Sequence, residues 1–588
     1  MKQFLKYTLA TIVGIIVTSF IGMLIFMGII GAITASSNKT VKTKPNSVYE
    51  LELKGELVER SKDDPFSTIF AGTMGQSNVQ PIGLDDVLAN IKKAKADGNI
   101  SGIYLKNGML MGGHASIKEI RDALVDFKSS GKFIVAYADG LSQKNYYLVS
   151  VADKIYLNPL GMLEFQGIAS NTLFLKNTLD KLGVEMQVVK VGTYKSAVEP
   201  VLQTQMSDAN KEQVTVFTSS IWNTMLNEIS ASRSISKETL NAYADEVMTF
   251  QTVERLVEAK LVDSLTYEDG MKDVFKKLTG QDDEKDIHYL THTDMNNVAV
   301  TEKLQKEKVA VIYAVGGIDM PGGRDGIVSE ELVKTINAVK DEKTVKAVVF
   351  RVNSGGGSVY GSEQLWHALG ELKKEKPLIV SMGDYAASGG YYIACHADTI
   401  LAQPNTLTGS IGIFGTFPNI AGLNKKIGLT YDGVKTNKLS DAITPNRAFS
   451  PEERNLLQNY INRGYELFVK RCADGRTMHT DSIKAVAEGR VWTGEDAKRL
   501  GLVDELGGLN DAITIAAKKA GMENYSIKAY PEKEDFFTTL MKDFNASIEA
   551  RLFKSKLGSE SYQLLKQIEE TKSMNGAYAL MPFTFTMN

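Results

Sequence analysis

The sequence predicts an α/β protein with two tandem βαβ domains, preceded by an N-terminal transmembrane helix. Three observations lead to this prediction. An apolar stretch without charges runs from Tyr7 to Asn38. Beyond it the chain repeats itself with a period of about 245 residues, which is too long for a solenoid and indicates a duplicated domain. Within each copy, runs rich in β-branched residues alternate with helical segments, as in a largely parallel sheet.

The first 38 residues have the composition of a membrane anchor. Lys2 and Lys6 precede the uncharged stretch, whose core from Leu9 to Ala35 is long enough to span a bilayer with some tilt. A cleaved signal peptide has a shorter apolar region, which favours an uncleaved anchor. Positive charge on the N-terminal side indicates a cytoplasmic N-terminus. The sequence therefore predicts a single-pass protein of the cytoplasmic membrane, with its body on the extracytoplasmic side.

The composition of the whole chain is that of an ordinary globular protein. The 588 residues are 43% hydrophobic and carry a formal net charge of −3, so nothing indicates nucleic-acid binding. The two cysteines, Cys395 and Cys472, can pair, but neither their number nor their spacing indicates a disulfide framework or a metal site. The sequence therefore predicts neither a metal ion nor a cofactor.

The two copies correspond segment by segment. Ile100–Lys106 matches Val345–Arg351, and Ala259–Asp263 matches Leu500–Asp504. Helices are expected in corresponding places of the two copies, at 116–129 and 208–229 in the first and at 362–374 and 451–473 in the second. The sequence thus predicts the domains as follows: an anchor at 1–38, an N-terminal repeat at 47–294 and a C-terminal repeat at 298–530.

A mostly helical tail is predicted beyond the second repeat, at residues 531–588. Its last dozen residues are apolar and carry no charge. We expect this end of the chain to dock onto another surface, although a frayed terminus has the same composition.

A candidate nucleophile lies where a predicted strand of the C-terminal repeat meets a predicted helix. The β-branched run Pro377–Met382 leads into the small-residue segment Gly383–Tyr392, and a helix is expected over Gly390–Ala397. Ser388 occupies the junction, as a nucleophile does in a strand-to-helix elbow. The alternative is a serine that only caps the helix.

A glycine loop follows the preceding strand of the same repeat. The strand-like run Ala347–Val352 ends in Asn353–Ser358, which contains Gly355, Gly356 and Gly357. Successive glycines can turn their N–H groups toward one point and stabilise an oxyanion. A phosphate-binding loop or a plain turn is the alternative, and the absence of Gly-Lys-Ser/Thr disfavours a P-loop.

The two copies differ at the positions that matter for chemistry. At the repeat offset, Ser388 corresponds to Gln143, so the N-terminal repeat has no such serine. In return that repeat has Lys195, which corresponds to Ser440. A serine without a nearby histidine needs another base, and a desolvated lysine can serve. A solvated loop lysine is the alternative, and the exchange between the copies favours the base.

Four strings carry a resemblance to a known family. The chain resembles the long, duplicated, membrane-anchored form of the signal peptide peptidase A family, whose fold is shared with the Clp protease and crotonase superfamily. The strings are spread over both repeats: Val191–Pro200, Arg351–Val359, Ser381–Tyr392 and Leu407–Gly415.

The resemblance implies a Ser/Lys catalytic dyad. In that family the serine of the A-S-G-G segment is the nucleophile, here Ser388, and the lysine of the T-Y-K-S segment is the general base, here Lys195. The serine of T-G-S-I-G, here Ser410, hydrogen-bonds the lysine. The glycine loop supplies the oxyanion donor, here Gly356 with Gly357 beside it.

The glycine loop departs from the family pattern at one position. The family usually has N-S-P-G-G, whereas this chain has Gly355 in place of the proline, which leaves the oxyanion donor open. The resemblance also implies a homotetramer whose sites are assembled between the tandem domains. For Lys195 to act as a base, burial must bring its pKa down toward neutral pH.

The expected substrates are peptides: cleaved signal peptides and other unfolded apolar segments. An extended peptide can enter a groove beside Ser388 by strand addition, and Ile411, Ile413 and Phe414 are candidates to line its side-chain pockets. Two alternatives stay open at this point. One is a crotonase-like acyl-CoA enzyme, and the other is a catalytically inactive membrane scaffold.

Overall fold

The structure, a computed structural model, describes residues 2–37, 40–61, 80–299, 305–320, 326–532 and 576–581. The first of these segments is a helix, α1 (Lys2–Ser37), so the predicted anchor is helical. Among the described residues, however, no helix has the length and hydropathy needed to cross a membrane. The transmembrane part of the prediction is therefore not supported. Most of the predicted tail lies outside the described residues.

The N-terminal repeat contains one parallel sheet. The strands of this repeat are β1 (Ser47–Val58), β2 (Ile82–Gly83), β3 (Ile100–Met111), β4 (Phe133–Leu141), β5 (Lys154–Leu163), β6 (Glu185–Val191), β7 (Ser264–Leu265) and β8 (Tyr289–Leu290). The order in the sheet is β2-β1-β3-β4-β5-β7, with β8 beside β1 and β6 outside this sheet. The helices of this repeat are α2 (Leu84–Ala96), α3 (His114–Lys128), α4 (Gln143–Val149), α5 (Lys176–Leu182), α6 (Glu199–Leu202), α7 (Asp208–Arg233), α8 (Lys237–Asp245), α9 (Val253–Glu258), α10 (Met271–Thr279) and α11 (His292–Asn297).

The C-terminal repeat contains a similar sheet. The strands of this repeat are β9 (Lys308–Val315), β10 (Val345–Ser354), β11 (Gly356–Ser358), β12 (Leu378–Ala387), β13 (Thr399–Ala402), β14 (Leu407–Gly409), β15 (Ile413–Asn419), β16 (Val491–Thr493), β17 (Glu505–Leu506) and β18 (Ser526–Tyr530). Strands β11 and β15 lie outside the main sheet. The order is β16-β14-β12-β10-β9-β18, with β13 and β17 on a branch from β12. The helices are α12 (Ser329–Asp341), α13 (Val359–Lys373), α14 (Gly389–Ala394), α15 (Ala421–Ile427), α16 (Pro451–Arg476), α17 (Thr480–Val486), α18 (Gly494–Arg499) and α19 (Leu509–Lys519).

The predicted elements are confirmed where sequence periodicity was strongest. Strand β10 is buried along nearly its whole length, as the β-branched run predicted for a parallel strand covered on both faces. The long helices α7 and α16 occupy corresponding places in the two repeats. Ser207 caps α7 by accepting from Asn210 N–H, and Ser450 caps α16 through a capping box with Glu453.

A third sheet joins the two repeats. Its order is β11-β19-β15-β6, where β19 (Gly576–Leu580) is the described part of the tail. All three pairings are antiparallel. Strand β6 of the N-terminal repeat pairs with β15 of the C-terminal repeat from Ile413 opposite Val191 to Asn419 opposite Glu185. The loop after β6, which carries the candidate base, is thereby delivered to the other repeat.

A buried ionic cluster fixes the two repeats to each other beneath this sheet. Arg351 on β10 is fully buried and binds Glu59 through two hydrogen bonds of 2.8 and 3.1 Å and Glu119 through one of 2.6 Å. Its remaining N–H groups donate to Ser381 Oγ and the Met382 carbonyl. All five guanidinium donors are thus used, which is the condition under which a buried charge is tolerated.

Burial also explains the state of two other groups. Glu119 lies in the same cluster, and burial raises the pKa of its carboxyl to about 7 against the opposing pull of Arg351. The two cysteines of the chain, Cys395 and Cys472, are both buried and both free, so they are not paired in this structure.

Candidate active site

Ser388 sits on a strained turn between β12 and α14. Its backbone has φ 55° and ψ −116°, a conformation that is rare for a residue with a side chain. The side chain is fully buried and makes no capping hydrogen bond to α14. Strain without capping is what a nucleophile elbow requires, and it disfavours the helix-cap alternative for this serine.

Lys195 is carried to Ser388 by the strand pairing between the repeats. Four residues after β6 ends, the lysine is held against the segment around Gly489 of the C-terminal repeat, where Tyr194 N–H donates to the Glu488 carbonyl at 2.9 Å. A Cβ on Gly489 would lie 2.7 Å from Lys195 Cβ, so only glycine permits this approach. The side chain of Lys195 is fully buried as a result.

The Lys195 amine makes three close contacts. Its Nζ lies 2.8 Å from Ser388 Oγ, 2.9 Å from Ser410 Oγ and 3.0 Å from the Ser410 carbonyl oxygen. A neutral amine has two N–H groups and one lone pair. If the N–H groups point to the two oxygens of Ser410, the lone pair is left facing the hydroxyl of Ser388.

The environment favours that neutral form. Burial lowers the pKa of Lys195 well below its ordinary value, and no charged group contributes to the shift. An ammonium without a carboxylate partner is costly in such surroundings, whereas an amine with hydrogen-bonded neighbours is not. The structure thus brings together three of the residues singled out in the sequence: Ser388, Lys195 and Ser410.

The glycine loop lies directly across from Ser388. Gly356 has φ 100°, and a Cβ there would lie 2.6 Å from Gly389 N, so this position requires glycine. Its own N–H donates to Ser354 Oγ at 3.1 Å. The N–H of Gly356, which the sequence favoured as oxyanion donor, therefore already has an acceptor in this arrangement.

A backbone carbonyl of the tail marks where an oxyanion would sit. The Ala579 oxygen lies 2.1 Å from a Cβ built on Gly356 and 3.1 Å from one built on Gly389. The register of β11 with β19 places Gly357 directly opposite Ala579. The N–H groups that can converge on this carbonyl are those of Gly357, in the loop, and of Gly389, at the start of α14.

The tail strand β19 occupies the groove beside Ser388. It is paired on one side with the glycine loop, where Met581 N–H donates to the Gly355 carbonyl at 2.6 Å, and on the other side with β15. The side chain of Tyr578 is buried in an apolar cluster with Val198 and Phe414, at a ring-centroid distance of 6.3 Å from Phe414. The expected docking of the chain end is thus observed for residues 576–581.

Of the three apolar residues expected to line the groove, one lies beside it and two do not. Phe414 contacts Tyr578, as a pocket residue would. Ile411 and Ile413 are buried in the main core of the C-terminal repeat instead. Val198 and the partly buried Met320 complete the pocket, and they come from distant parts of the chain that no local pattern connects.

The N-terminal repeat has lost the corresponding site. Gln143 stands where the repeat offset places the nucleophile, and its carboxamide accepts from Gln166 N–H and Gly167 N–H and donates to the Gly167 carbonyl. The side chain therefore serves to hold a loop. Ser440, the counterpart of Lys195, is exposed. The three side chains that are in contact therefore come from both repeats, Lys195 from the first and Ser388 and Ser410 from the second.

Sequence reasoning missed the residues that depend on the tail and on backbone geometry. Nothing in the local string around Tyr578 indicated that this ring fills a pocket beside Ser388. Gly389 lies within the small-residue segment Gly383–Tyr392, and the position of its N–H follows from the start of α14. The turn at Ser388 was the available signal, because the residue after a nucleophile elbow commonly supplies an oxyanion donor.

Comparison with known proteins identifies the family of the chain. A sequence model described as "Peptidase family S49" matches residues 126–282 and 370–523, one region in each repeat. "Protease 4" of Salmonella typhi is 36% identical over 525 residues, covering 85% of this chain and 83% of that protein. "Serine protease SPPA, chloroplastic" of Arabidopsis thaliana is 31% identical over 490 residues, covering 82% of this chain and 70% of that protein.

Among solved structures, a ClpP1 variant from Listeria monocytogenes covers 34% of this chain and 94% of its own, with 14% sequence identity and a TM-score of 0.24. The sequence matches confirm the resemblance to the signal peptide peptidase A family that the four strings indicated. The chain belongs to peptidase family S49 and carries the family's domain twice.

Proposed function

We propose that this protein is a serine endopeptidase with a Ser388/Lys195 dyad, and that it degrades cleaved signal peptides and other unfolded apolar peptides. The observation that carries the proposal is the 2.8 Å contact between the buried Lys195 amine and Ser388 Oγ. Membership of a peptidase family supports the same reaction class. An inactive scaffold would have no use for a strained serine beside an unpaired buried lysine.

The proposed reaction proceeds through an acyl-enzyme. Ser388 Oγ attacks the scissile carbonyl carbon while its proton passes to the lone pair of Lys195 Nζ. The tetrahedral oxyanion is stabilised by backbone N–H groups of the glycine loop and of Gly389. The Lys195 ammonium then gives its proton to the leaving nitrogen, and the peptide bond breaks. Water then attacks the ester carbonyl while Lys195 accepts its proton, and the Lys195 ammonium returns a proton to Ser388 Oγ as the ester C–O bond breaks and the acid product leaves.

The position of β19 supports the proposed substrate class. A substrate that binds as β19 does would add a strand between β11 and β15, so only an extended, unfolded segment could enter. The pocket that receives Tyr578 is formed by apolar side chains such as Val198 and Phe414. Both features favour apolar peptides over folded proteins.

Membrane attachment and tetramer formation are further parts of the proposal. The N-terminal sequence from Tyr7 to Asn38 has no charge, and the described side chains of Phe4 and Phe20 on α1 are 75% and 60% exposed. Apolar side chains exposed along a helix favour contact with lipid or protein. We place the chain at the bacterial cytoplasmic membrane, with the repeats on the extracytoplasmic side. The tetramer is supported by the family resemblance alone.

The dyad predicts the effect of two substitutions. Ser388→Ala and Lys195→Ala should each lower kcat/KM for an apolar peptide by roughly 10⁴-fold or more, because each removes a partner of one proton transfer. Matched controls are Ser440→Ala and Lys211→Ala, which change exposed residues of the same types. Cleavage is followed with a quenched fluorescent peptide. Near-full activity in Lys195→Ala would exclude the dyad.

The low pKa of Lys195 predicts a pH profile. Only the neutral amine accepts a proton, so kcat/KM should rise about tenfold per pH unit below the pKa of Lys195 and level off above it. The measurement is kcat/KM across pH 5 to 10 for the full chain. A rate that falls as pH rises over this range, with the protein still folded, is the opposite of what the dyad requires.

Stability provides the control for this profile. Because the pKa of Lys195 is lower in the folded chain than in the unfolded one, the unfolded chain binds more protons at pH values between these two pKa values. The contribution of this lysine to folding stability therefore falls as pH drops. Lys195→Met removes that contribution, so the free energy of unfolding of this variant should decrease less on acidification than that of the unsubstituted chain.

The tail predicts a competition with substrate. A chain that lacks residues 576–588 should cleave short peptides with a kcat/KM at least about tenfold higher, because a tethered competitor has an effective concentration in the millimolar range. Tyr578→Asp should act in the same direction by disfavouring burial of the ring, while Tyr431→Asp, at an exposed tyrosine, should have no effect. Equal activity in all four proteins would show that the tail does not compete.

Attachment and assembly can be tested together on fractionated cells. The full chain should stay with membranes after alkaline carbonate washing, and a chain beginning at residue 40 should be released. The detergent-extracted protein should have the mass of four chains by light scattering. Release of the full chain by carbonate would contradict attachment through α1, and a monomer mass would contradict the tetramer.

A further inference from the structure

A cavity of about 350 Å³ with polar and apolar lining lies between the two repeats, beside the groove that holds β19. The N-terminal repeat contributes His114 and Lys144 to its wall, and the C-terminal repeat contributes Asn353, Asp384 and Asn405. Neither the dyad nor the oxyanion loop uses these side chains. The cavity thus stands outside the machinery described above, although it is close to it.

Two side chains of the wall have hydrogen-bonding atoms without partners. Asn405 is only 2% exposed, and both its carboxamide nitrogen and oxygen lack a partner. His114 is 8% exposed, and its Nε2 lacks a partner. Burial, together with the nearby Lys144, lowers the pKa of His114 to about 3, so the ring is neutral. Buried polar atoms left unsatisfied are costly, which points to a partner that the site normally receives.

The charged groups of the cavity are already engaged. Asp384 accepts hydrogen bonds from Ala115 N–H, Ser116 N–H and Ser116 Oγ at the start of α3. Lys144 Nζ donates to the Gly112 carbonyl at 3.2 Å. Lys144 keeps further N–H groups, and the nearby carboxylate of Asp384 offsets its charge. The hydrogen-bonding capacity left over is therefore that of an amide, an imidazole and the remaining N–H groups of Lys144. Such a site suits uncharged ligand groups that both donate and accept, namely carboxamides and hydroxyls.

The direction of β19 shows which part of a substrate would reach the cavity. The Ala579 carbonyl lies against Gly356, and Met581 N–H donates to the Gly355 carbonyl, so the strand runs antiparallel to the loop. The ladder ends there, because Ser354 is already paired with Ala386 and Asn353 with Val315 in the C-terminal sheet. A substrate would leave the loop after the position of Met581, which is bonded to Gly355, two residues from Asn353 in the cavity wall.

The packing of Met581 agrees with this direction. The Met581 side chain belongs to the same apolar cluster as Leu407, and Leu407 also lines the cavity. If the carbonyl at the position of Ala579 is the one attacked, Met581 stands at the second residue on the leaving side of the scissile bond. The cavity then begins at the third.

We propose that this cavity is the subsite for the third and fourth residues on the leaving side of the scissile bond, and that it selects side chains bearing a carboxamide or a hydroxyl. The proposal rests on the proposed peptidase function and adds a specificity to it. The acyl side of a substrate is then chosen by the apolar pocket beside Phe414, and the leaving side by hydrogen bonds to Asn405 and His114.

The test compares two peptides that differ only at the third and fourth leaving-side residues, Gln-Ser in one and Leu-Leu in the other. The full chain should cleave the Gln-Ser peptide with roughly tenfold higher kcat/KM, as about one to two net hydrogen bonds supply. In Asn405→Leu and His114→Phe the ratio should fall to about twofold or less, mainly through KM. Asn424→Leu is the matched control, because Asn424 is buried with an unpartnered amide nitrogen but does not line the cavity.

A reporter with only a fluorogenic aryl amine after the scissile bond separates this subsite from the catalytic machinery. Asn405→Leu and His114→Phe should hydrolyse it like the unsubstituted chain, which also shows that they are folded. Calorimetric binding of the two peptides to the full Ser388→Ala chain gives the same comparison without turnover. An unsubstituted chain that cleaves the reporter but does not distinguish the two peptides, or a preference that survives both cavity substitutions, would overturn the subsite while leaving the dyad intact. Reporter cleavage that persists in every variant, including Ser388→Ala, would overturn the proposed peptidase function itself.

Discussion

The antiparallel pairing of β6 with β15 is the contact on which the site depends. The two strands come from different repeats, and their seven paired positions fix the loop after Val191 against the C-terminal repeat. Through this pairing Lys195 reaches Ser388, a residue 193 positions away in the sequence. Both partners of the proposed dyad are fully buried only because the two repeats close over them. A shift in the register of this pairing would displace Lys195 from Ser388 even if the rest of both domains kept its structure.

Among the described residues, two basic side chains, Arg351 and Lys195, are fully buried, and the effect of their surroundings on the pKa differs. Arg351 is surrounded by Glu59 and Glu119, and its neighbours raise its pKa further, so it stays charged. Lys195 has only hydroxyl and carbonyl oxygens around it, and burial lowers its pKa. The difference lies in the neighbours, since desolvation acts against the charge in both cases. One group therefore joins the repeats structurally, while the other is left able to accept a proton.

In the proposed dyad the lysine comes from one copy and the serine from the other, so neither repeat would be complete alone. The corresponding positions in the opposite copies would then be free to change. Gln143 now fixes the loop at Gly167, and Ser440 is exposed. The tail also contributes to the contact between the repeats, since β19 joins the sheet that connects them and lies in the groove beside Ser388. The chain thus contains a segment that fits its own groove.

The sequence by itself determined the duplication, the strands at 347–352 and 377–382, the long helices, and the candidate roles of Ser388, Lys195 and Ser410. These depend on local periodicity and on short strings whose meaning is carried by residue type. Its expectation of a transmembrane helix was not supported among the described residues, and the occupied N–H of Gly356 could not be read from a run of glycines.

Only the tertiary structure decided the distances and the partners. The pocket of Val198, Phe414 and Tyr578 and the cavity around Asn405 are each assembled from segments far apart in the chain. The same is true of the burial that lowers the pKa of Lys195. Local sequence specifies backbone preference and polarity, but desolvation and hydrogen-bond geometry depend on which segments meet, and that is settled by the pairing of strands across the two repeats.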